Sequence, residues 1–422
     1  MRASLKVGLV LMACYLVAWL DRMAINMTVL SMQGDLHIDA AKTGWVLSAF
    51  FAGYALCQVP GGLLADRFGP RAVIIGALLW WTAFTAATGL ATTFGAMLAV
   101  RFLFGVGEGL FPAAVWKVIG QWFTKKNRAT ANSLVLSSIA IGPALTPLLL
   151  APVLQAYGWR VAFYALGGVG LLAVGLAYKF IYNARAEYPG VARAEVEEFE
   201  RDAASERAAG AERGLENAGF AELFASRAVW ALFLTALAGN ITMYGWLNWL
   251  PTYLIKVKGL DVKGMAWGAS LPFAAGAAGL MLSGYASDRW FRGRRKVLVL
   301  ACQVLGGLAL FGFTRVGDAA SFMPLQCLAG FLLFMATGAI WAMPMVLLPP
   351  KLMGAGSGFI NTGGQIGGFI TNLLIGYTIE AYGGDYAAGF NVLFAGLFLS
   401  AACVLFGIRE APRARAAVPV AT

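Results

Sequence analysis

The chain has 422 residues, of which 59% are apolar and only 13% charged, with a mean hydropathy of +0.71. Soluble globular chains carry about 25% charged residues. The polar surface available here is too small to cover so much apolar material, so a water-soluble fold is excluded and an integral membrane protein is indicated. The net charge of +11 would suit a nucleic-acid binder, but 10 of the 21 acidic residues fall between 184 and 224, beside only 5 arginines. The basic excess therefore belongs to the loops between apolar runs, the mark of a membrane protein's cytoplasmic side, and no nucleic-acid partner is expected.

A bilayer core needs about 20 mostly apolar residues per helix. Twelve such runs follow along the chain, at 7–30, 43–65, 72–92, 94–122, 129–154, 160–183, 228–255, 265–287, 296–314, 321–349, 353–379 and 385–408. They define an all-α membrane protein with a six-helix bundle over 1–183, a polar linker over 184–227, a second bundle over 228–409 and a tail over 410–422. The first run carries Asp21-Arg22 and is too long for a signal-peptide core, so it is read as span 1. With both termini on one side, 23 of the 32 basic residues fall on that side and 6 on the other (Lys42, Arg160, Lys256, Lys258, Lys263 and Arg315). The positive-inside rule makes that richer side, and both termini, cytoplasmic. In the linker, 193–201 reads as a short amphipathic helix.

The two halves repeat. Gly62, Asp66 and Arg67 after span 2 are echoed by Gly284, Asp288 and Arg289 after span 8, an offset of 222, and Tyr157-Gly158 returns as Tyr382-Gly383 at 225. Two six-helix halves related by an axis along the membrane normal form a transporter plan with the substrate site at their interface.

Chemistry inside the membrane rests on few residues. Only Asp21 and Glu108, of all the acidic residues, lie inside the membrane rather than at the end of a span, and intramembrane ionisable groups are functional by default. The sole histidine, His37, falls in the loop after span 1 and is poorly placed as a relay. A protein-borne coupling proton must then ride on Asp21 or Glu108, unless these are structural partners of Arg22, Arg101 or Lys117. Arg101 and Glu108 are seven residues apart, about 700° of rotation and roughly 10.5 Å of rise, and share a helix face. Lys117 is turned about half a revolution from Glu108 and lies close to the inner end of its span, where snorkelling to the interface accounts for it. The five cysteines (Cys14, Cys57, Cys302, Cys327 and Cys403) sit in apolar runs with no disulfide or metal spacing, and no cofactor or metal is expected. The glycine-rich run 354–368 lacks the preceding strand and the lysine of a phosphate loop, and reads as a helix-packing surface.

The stretch Gly62-Leu63-Leu64-Ala65-Asp66-Arg67-Phe68-Gly69-Pro70-Arg71 resembles the loop 2–3 motif of the major facilitator superfamily, with a degraded copy from Gly284 to Lys296. Trp19-Leu20-Asp21-Arg22, the span 4 run from Arg101 through Glu108 to Pro112, and Trp249-Leu250-Pro251-Thr252-Tyr253 look like the anion:cation symporters within it. These include sugar-acid and phthalate proton symporters and vesicular glutamate and sialic acid carriers. The resemblance implies that Arg22 binds a substrate carboxylate, that Arg101 and Glu108 serve substrate binding and proton coupling, and that Asp21 is a second protonation site. A guanidinium suits that role because its planar fork can hold both carboxylate oxygens. It also implies a gate at Asp66, Arg67 and Arg71 and at Asp288 and Arg289, with Asp66 pairing a neighbouring arginine or a helix N-terminus. Tyr54, Tyr244, Asn248, Trp341, Asn361, Thr362 and Gln365 would complete the substrate site. Ile340 stands where the sugar-acid members are expected to place a hydroxyl, and Ile139 and Ala140 are apolar where a polyol binder would carry an amide. The expected protein is a proton-coupled, monomeric symporter of a small organic anion in the cell membrane. A proton-independent anion uniporter or exchanger is the alternative and a drug or cation exporter the weaker one, since two arginines argue against a cation site. An enzyme would need a nucleophile–base set that the chain lacks.

Overall fold

A computed structural model describes residues 2–212, 224–291, 294–348 and 353–408. The expected tail over 410–422 lies outside the described residues, as does the side chain of Asp288. The chain folds as α1 (Ala3–Leu36), α2 (Ala40–Phe68), α3 (Pro70–Leu90), α4 (Phe94–Trp122), α5 (Lys125–Leu136), α6 (Ser138–Phe180), α7 (Arg193–Glu212), α8 (Arg227–Lys256), α9 (Val262–Arg289), α10 (Arg295–Arg315), α11 (Ala319–Ala342), α12 (Met353–Ala381) and α13 (Asn391–Ala402). Among the described residues ten helices are long and apolar enough to cross a membrane, with Lys125–Phe180 counted as one and α12 left out. Helix α12 is as long as the others but is dotted with Asn361, Gln365 and Asn372. Dividing α6 at its break and adding α12 yields the twelve spans.

That break is Gly158, whose φ of 78° and ψ of 175° turn the chain without a polar loop. The repeat partner Gly383 has φ 68°, so both Tyr-Gly pairs place a glycine at positive φ, a conformation that glycine adopts without steric cost. Other turns at this end begin with helix caps. Asp39, Thr93, Asp261 and Asp318 accept from the backbone N–H three residues on, at 2.6, 3.2, 2.7 and 2.9 Å, and each satisfies a donor that the first helical turn leaves unpaired. Asp261 stands at the repeat position of Asp39, and Asp318 at that of Thr93, so the capping recurs with the halves. His37 closes α1 in the left-handed region, with φ 50°. This end of the bundle is here called the turn face, and the end that carries α7 the linker face.

Within the first half α1 packs on α6, α2 on α4, and α3 on both α4 and α6; within the second, α8 packs on α12 and α13, and α11 on α9 and α10. The halves meet where α2 lies on α12, α6 on α9 and α1 on α8. Glycines set the closest approaches. A Cβ on Gly105 would run into the Phe50 carbonyl oxygen, and one on Gly330 into that of Pro272. The two contacts are repeats of one another, and each lets one helix lie directly on its neighbour's backbone.

The linker helix extends beyond the expected 193–201 and is docked on the first half. Glu195 accepts from the backbone N–H of Ala3 and Ser4 at 3.2 and 2.9 Å, capping α1. Two turns along, Asp202 accepts from Lys125 N–H at 2.7 Å, capping α5. Arg185 donates to the carbonyls of Trp122 and Glu195 and lies over the Phe199 ring at 4.2 Å. One helix thus offers carboxylates to two helix N-termini, where the backbone dipoles favour negative charge. Burial opposes the ionisation of Glu195, but the Ser4 and Ala3 hydrogen bonds together with Arg185 outweigh it and hold the carboxyl below its usual value.

Candidate substrate site

The halves enclose a small cavity of about 20 Å³, lined on one side by Trp19, Arg22, Asn26, Phe50 and Arg101 and on the other by Tyr244, Leu247 and Asn248. Its position follows from the packing of α2 on α4. With Gly105 against the Phe50 backbone and Gly109 against that of Tyr54, the two rings are carried to the level of the buried charges. The Arg22 guanidinium sits 4.9 Å from the Trp19 ring, 4.9 Å from Phe50 and 4.8 Å from Tyr54, an aromatic cradle that stabilises a cation through the ring quadrupoles. Its Nε donates to Glu108 Oε2 in a buried ion pair, while Glu108 Oε1 has no hydrogen-bond partner among the described residues.

Arg101 differs. It is 2% exposed, lies 4.5 Å from the Phe104 ring, and makes no hydrogen bond or ion pair among the described residues. A buried guanidinium with unsatisfied donors is costly, and it gains most from an anion entering the cavity it lines. Asp21, also buried, faces away from the cavity into the first half, beside Thr85 and Trp81, with neither carboxylate oxygen in a formed hydrogen bond among the described residues.

The turn-face end of the cavity is shut by contacts between the halves. Asn26 Nδ2 donates to Asn248 Oδ1 at 3.1 Å, Asn248 Nδ2 to Asn372 Oδ1 at 3.0 Å, and Asn372 Nδ2 to the Gly368 carbonyl at 2.9 Å. Further out, Ser48 donates to the Phe369 carbonyl, Trp45 to Tyr377 and Ala40 N–H to Glu380. Toward the linker face a single described hydrogen bond links the halves, Asn361 Nδ2 to Gln58 Oε1 at 3.2 Å. The halves are clasped at the turn face.

Of the residues expected in the site, Arg22, Arg101, Tyr244 and Asn248 line the cavity and Tyr54 lies under Arg22. Trp341, 38% exposed, does not line it; Thr362 is turned to its own helix, donating to the Gly358 carbonyl; Gln365 is buried beside Tyr244. In the loop 2–3 region Asp66 pairs with Lys117 at 2.7 Å rather than with an arginine or a helix N-terminus, and Lys117 also donates to the Ala65 carbonyl. Arg71 donates to the Tyr178 carbonyl and lies over Tyr182, tying α3 to the end of α6. Arg67 covers Phe68 and Arg289 covers Tyr285. Trp19, Phe50 and Asn26 had no place in the expected site. Asn26 was legible nonetheless, being one helical turn beyond Arg22 on the same face and the repeat counterpart of Asn248.

Comparison with known proteins agrees with this architecture. The sequence profile of the Major Facilitator Superfamily matches residues 11–372, and the chain belongs to that family: it is a multi-pass membrane transporter, not an enzyme. It is 30% identical to a probable sulfoacetate transporter of Cupriavidus necator, covering 93% of this chain and 91% of that one. It is 28% identical to a hexuronate transporter of Bacillus subtilis, covering 93% of each. A crystal structure of a bacterial homologue of the human lysosomal transporter Spinster, inward-facing and occupied, shares the fold with a TM-score of 0.74 at 18% identity, over 95% of this chain and 96% of that one.

Proposed function

We propose that the protein is a proton-coupled symporter that imports a small organic anion by alternating access, with the linker face and both termini in the cytoplasm. The observation that carries this reading is Arg101, a buried cation with no hydrogen bond or ion pair among the described residues, beside a cavity that also holds Arg22. Glu108 supplies the coupling. While ionised it occupies Arg22; a proton on Glu108 frees that guanidinium for the substrate carboxylate. Loading is then favoured when Glu108 is protonated, and release of the substrate and proton restores the ion pair. An empty site with two unpaired arginines at mid-membrane is too costly to carry across, which couples the two fluxes. Asp21, away from the cavity, takes the second protonation step through the first half's interior. The clasped turn face with Arg22 and Glu108 paired suits the stage after release toward the linker face. The gate roles of Asp66, Arg67, Arg71, Asp288 and Arg289 belong to the same cycle, and the transporter acts as a monomer.

The named relatives are a probable sulfoacetate transporter and a hexuronate transporter, so these acids are the first probes. In proteoliposomes, an acid-outside gradient is expected to drive accumulation of glucuronate or sulfoacetate. Glu108→Gln should abolish accumulation yet keep exchange of substrate across the membrane. Accumulation by Arg101→Ala at the wild-type rate overturns the anion site. Transport indifferent to the pH gradient supports the uniporter or exchanger in place of the symporter.

A further inference from the structure

The asparagine chain that shuts the cavity has a direction, and its direction leaves one atom over. The Gly368 carbonyl can only accept, so Asn372 must present Nδ2 to it and Oδ1 to Asn248. Asn248 must then give Nδ2 to Asn372 and Oδ1 to Asn26. The amide of Asn26 has its donor engaged and its Oδ1 without a partner among the described residues, in a side chain 2% exposed that lines the cavity. Amide orientation is ordinarily a matter of choosing the better network; here a helix carbonyl three links away fixes it.

We infer that Asn26 Oδ1 is a specificity-determining acceptor that receives a hydrogen bond from a hydroxyl on the transported anion. This rests on the anion-symporter reading above and narrows it to hydroxycarboxylates. Asn26 is one turn beyond Arg22 on α1, about 6 Å of rise, so a carboxylate at the arginines and a hydroxyl within a few carbons of it can be held together. A substrate without a donor leaves the acceptor buried and unpaired, and sites built to hydrogen-bond a substrate hydroxyl discriminate strongly against analogues that lack it. The rest of the wall adds few polar groups: Phe50, Phe51 and Leu247 are apolar, Trp19 and Tyr244 bring one indole N–H and one hydroxyl, and Asn248 has both ends of its amide occupied. The site therefore reads one hydroxyl closely rather than a long polyol. Because the chain of amides crosses from α1 to α8 and α12, the acceptor is aimed only while the turn face is shut.

The test is a set of matched acids differing by one hydroxyl: lactate and propionate, 3-hydroxybutyrate and butyrate, malate and succinate. Each is titrated against detergent-purified wild type, Asn26→Leu and Asn26→Ala, with thermal stabilisation as the readout. In wild type the hydroxylated member of a pair is expected to bind about five- to tenfold more tightly, and both variants should bring that ratio close to one. A wild-type ratio near one in every pair that binds overturns the inference, whether or not the variants fold, and leaves the anion site standing. A ratio that survives in the variants while both affinities fall together assigns Asn26 to closure alone and also overturns it. If no acid of any pair stabilises the protein, and Arg101→Ala behaves as wild type, the anion site itself has failed.

Discussion

Positions 21, 22 and 26 hold Asp, Arg and Asn; at the matching places of the second half stand Met243, Tyr244 and Asn248. The halves share their helix caps, their Tyr-Gly turns and the glycine contact of Gly105 and Gly330, yet every buried charge at the cavity belongs to the first. The difference separates two duties. Arg22, Arg101 and Glu108 stay within one packed body, so their spacing survives a motion of one half against the other. The described hydrogen bonds across the interface are chiefly between neutral amides, hydroxyls and carbonyls, which can separate without stranding an ion in the membrane. Charge is kept where nothing slides.

Making the first half resemble the second should have the largest effect. Arg22→Tyr copies Tyr244 and leaves Glu108 buried without its cation; uptake in proteoliposomes should fall by at least about 100-fold, whereas Tyr244→Phe should fall by less than about tenfold. Next, Gly105→Leu and Gly330→Leu insert side chains at equivalent backbone contacts. Each should lower stability by about 1–3 kcal/mol, seen as similar drops in melting temperature. Only Gly105→Leu should also weaken anion binding, because Phe50 then moves off the arginines. A smaller effect is expected at α7, whose described hydrogen bonds to other helices run to Ala3, Ser4 and Lys125 of the first half. Glu195→Ala should cost about 0.5–2 kcal/mol, in the range of a lost helix cap.

That cap also has a pH signature. The Glu195 carboxyl is held below its ordinary value when folded, so its contribution is complete above the usual carboxylate range and is lost as the pH falls through the lowered folded value. Melting curves of wild type and Glu195→Ala should differ at neutral pH and converge in acid. The smallest change belongs to Asp66→Asn. Its pair with Lys117 is well exposed, and such pairs contribute about 0–1 kcal/mol; melting should barely move, whatever happens to transport.

Much of this was legible in the sequence, for physical reasons that also mark where legibility stops. Apolar runs of bilayer length and the repeated offset between their flanking motifs reveal twelve spans in two halves, because the membrane dictates how long a span must be. Arg22, Arg101 and Glu108 stood out because charge inside a membrane is rare. Tyr244 and Asn248 were placed by resemblance. Phe50 was not visible, since nothing distinguishes a cation-cradling ring from the other aromatic residues in apolar runs until α2 is laid on α4. The inward direction of Asp21, adjacent to Arg22 and about 100° around the helix from it, depended on where α3 packs. Lys117 was rightly turned from Glu108 by the helix geometry, but its partner Asp66 lies 51 residues away, a separation that periodicity within one helix cannot reach.

The hydrogen bond between Asn26 and Asn248 joins the same position of two repeated units. In a two-fold dimer of separate half-length chains it would be a residue meeting its own copy, the hallmark of an isologous interface, and any substitution would strike both sides at once. Carried on one polypeptide, the copies can be altered singly. Asn248 passes its second hydrogen bond onward to Asn372, while Asn26, on the cavity wall it shares with the arginines, keeps an Oδ1 without a partner among the described residues. A symmetric self-contact has thereby become an asymmetric one, a seal on one side and a reader on the other.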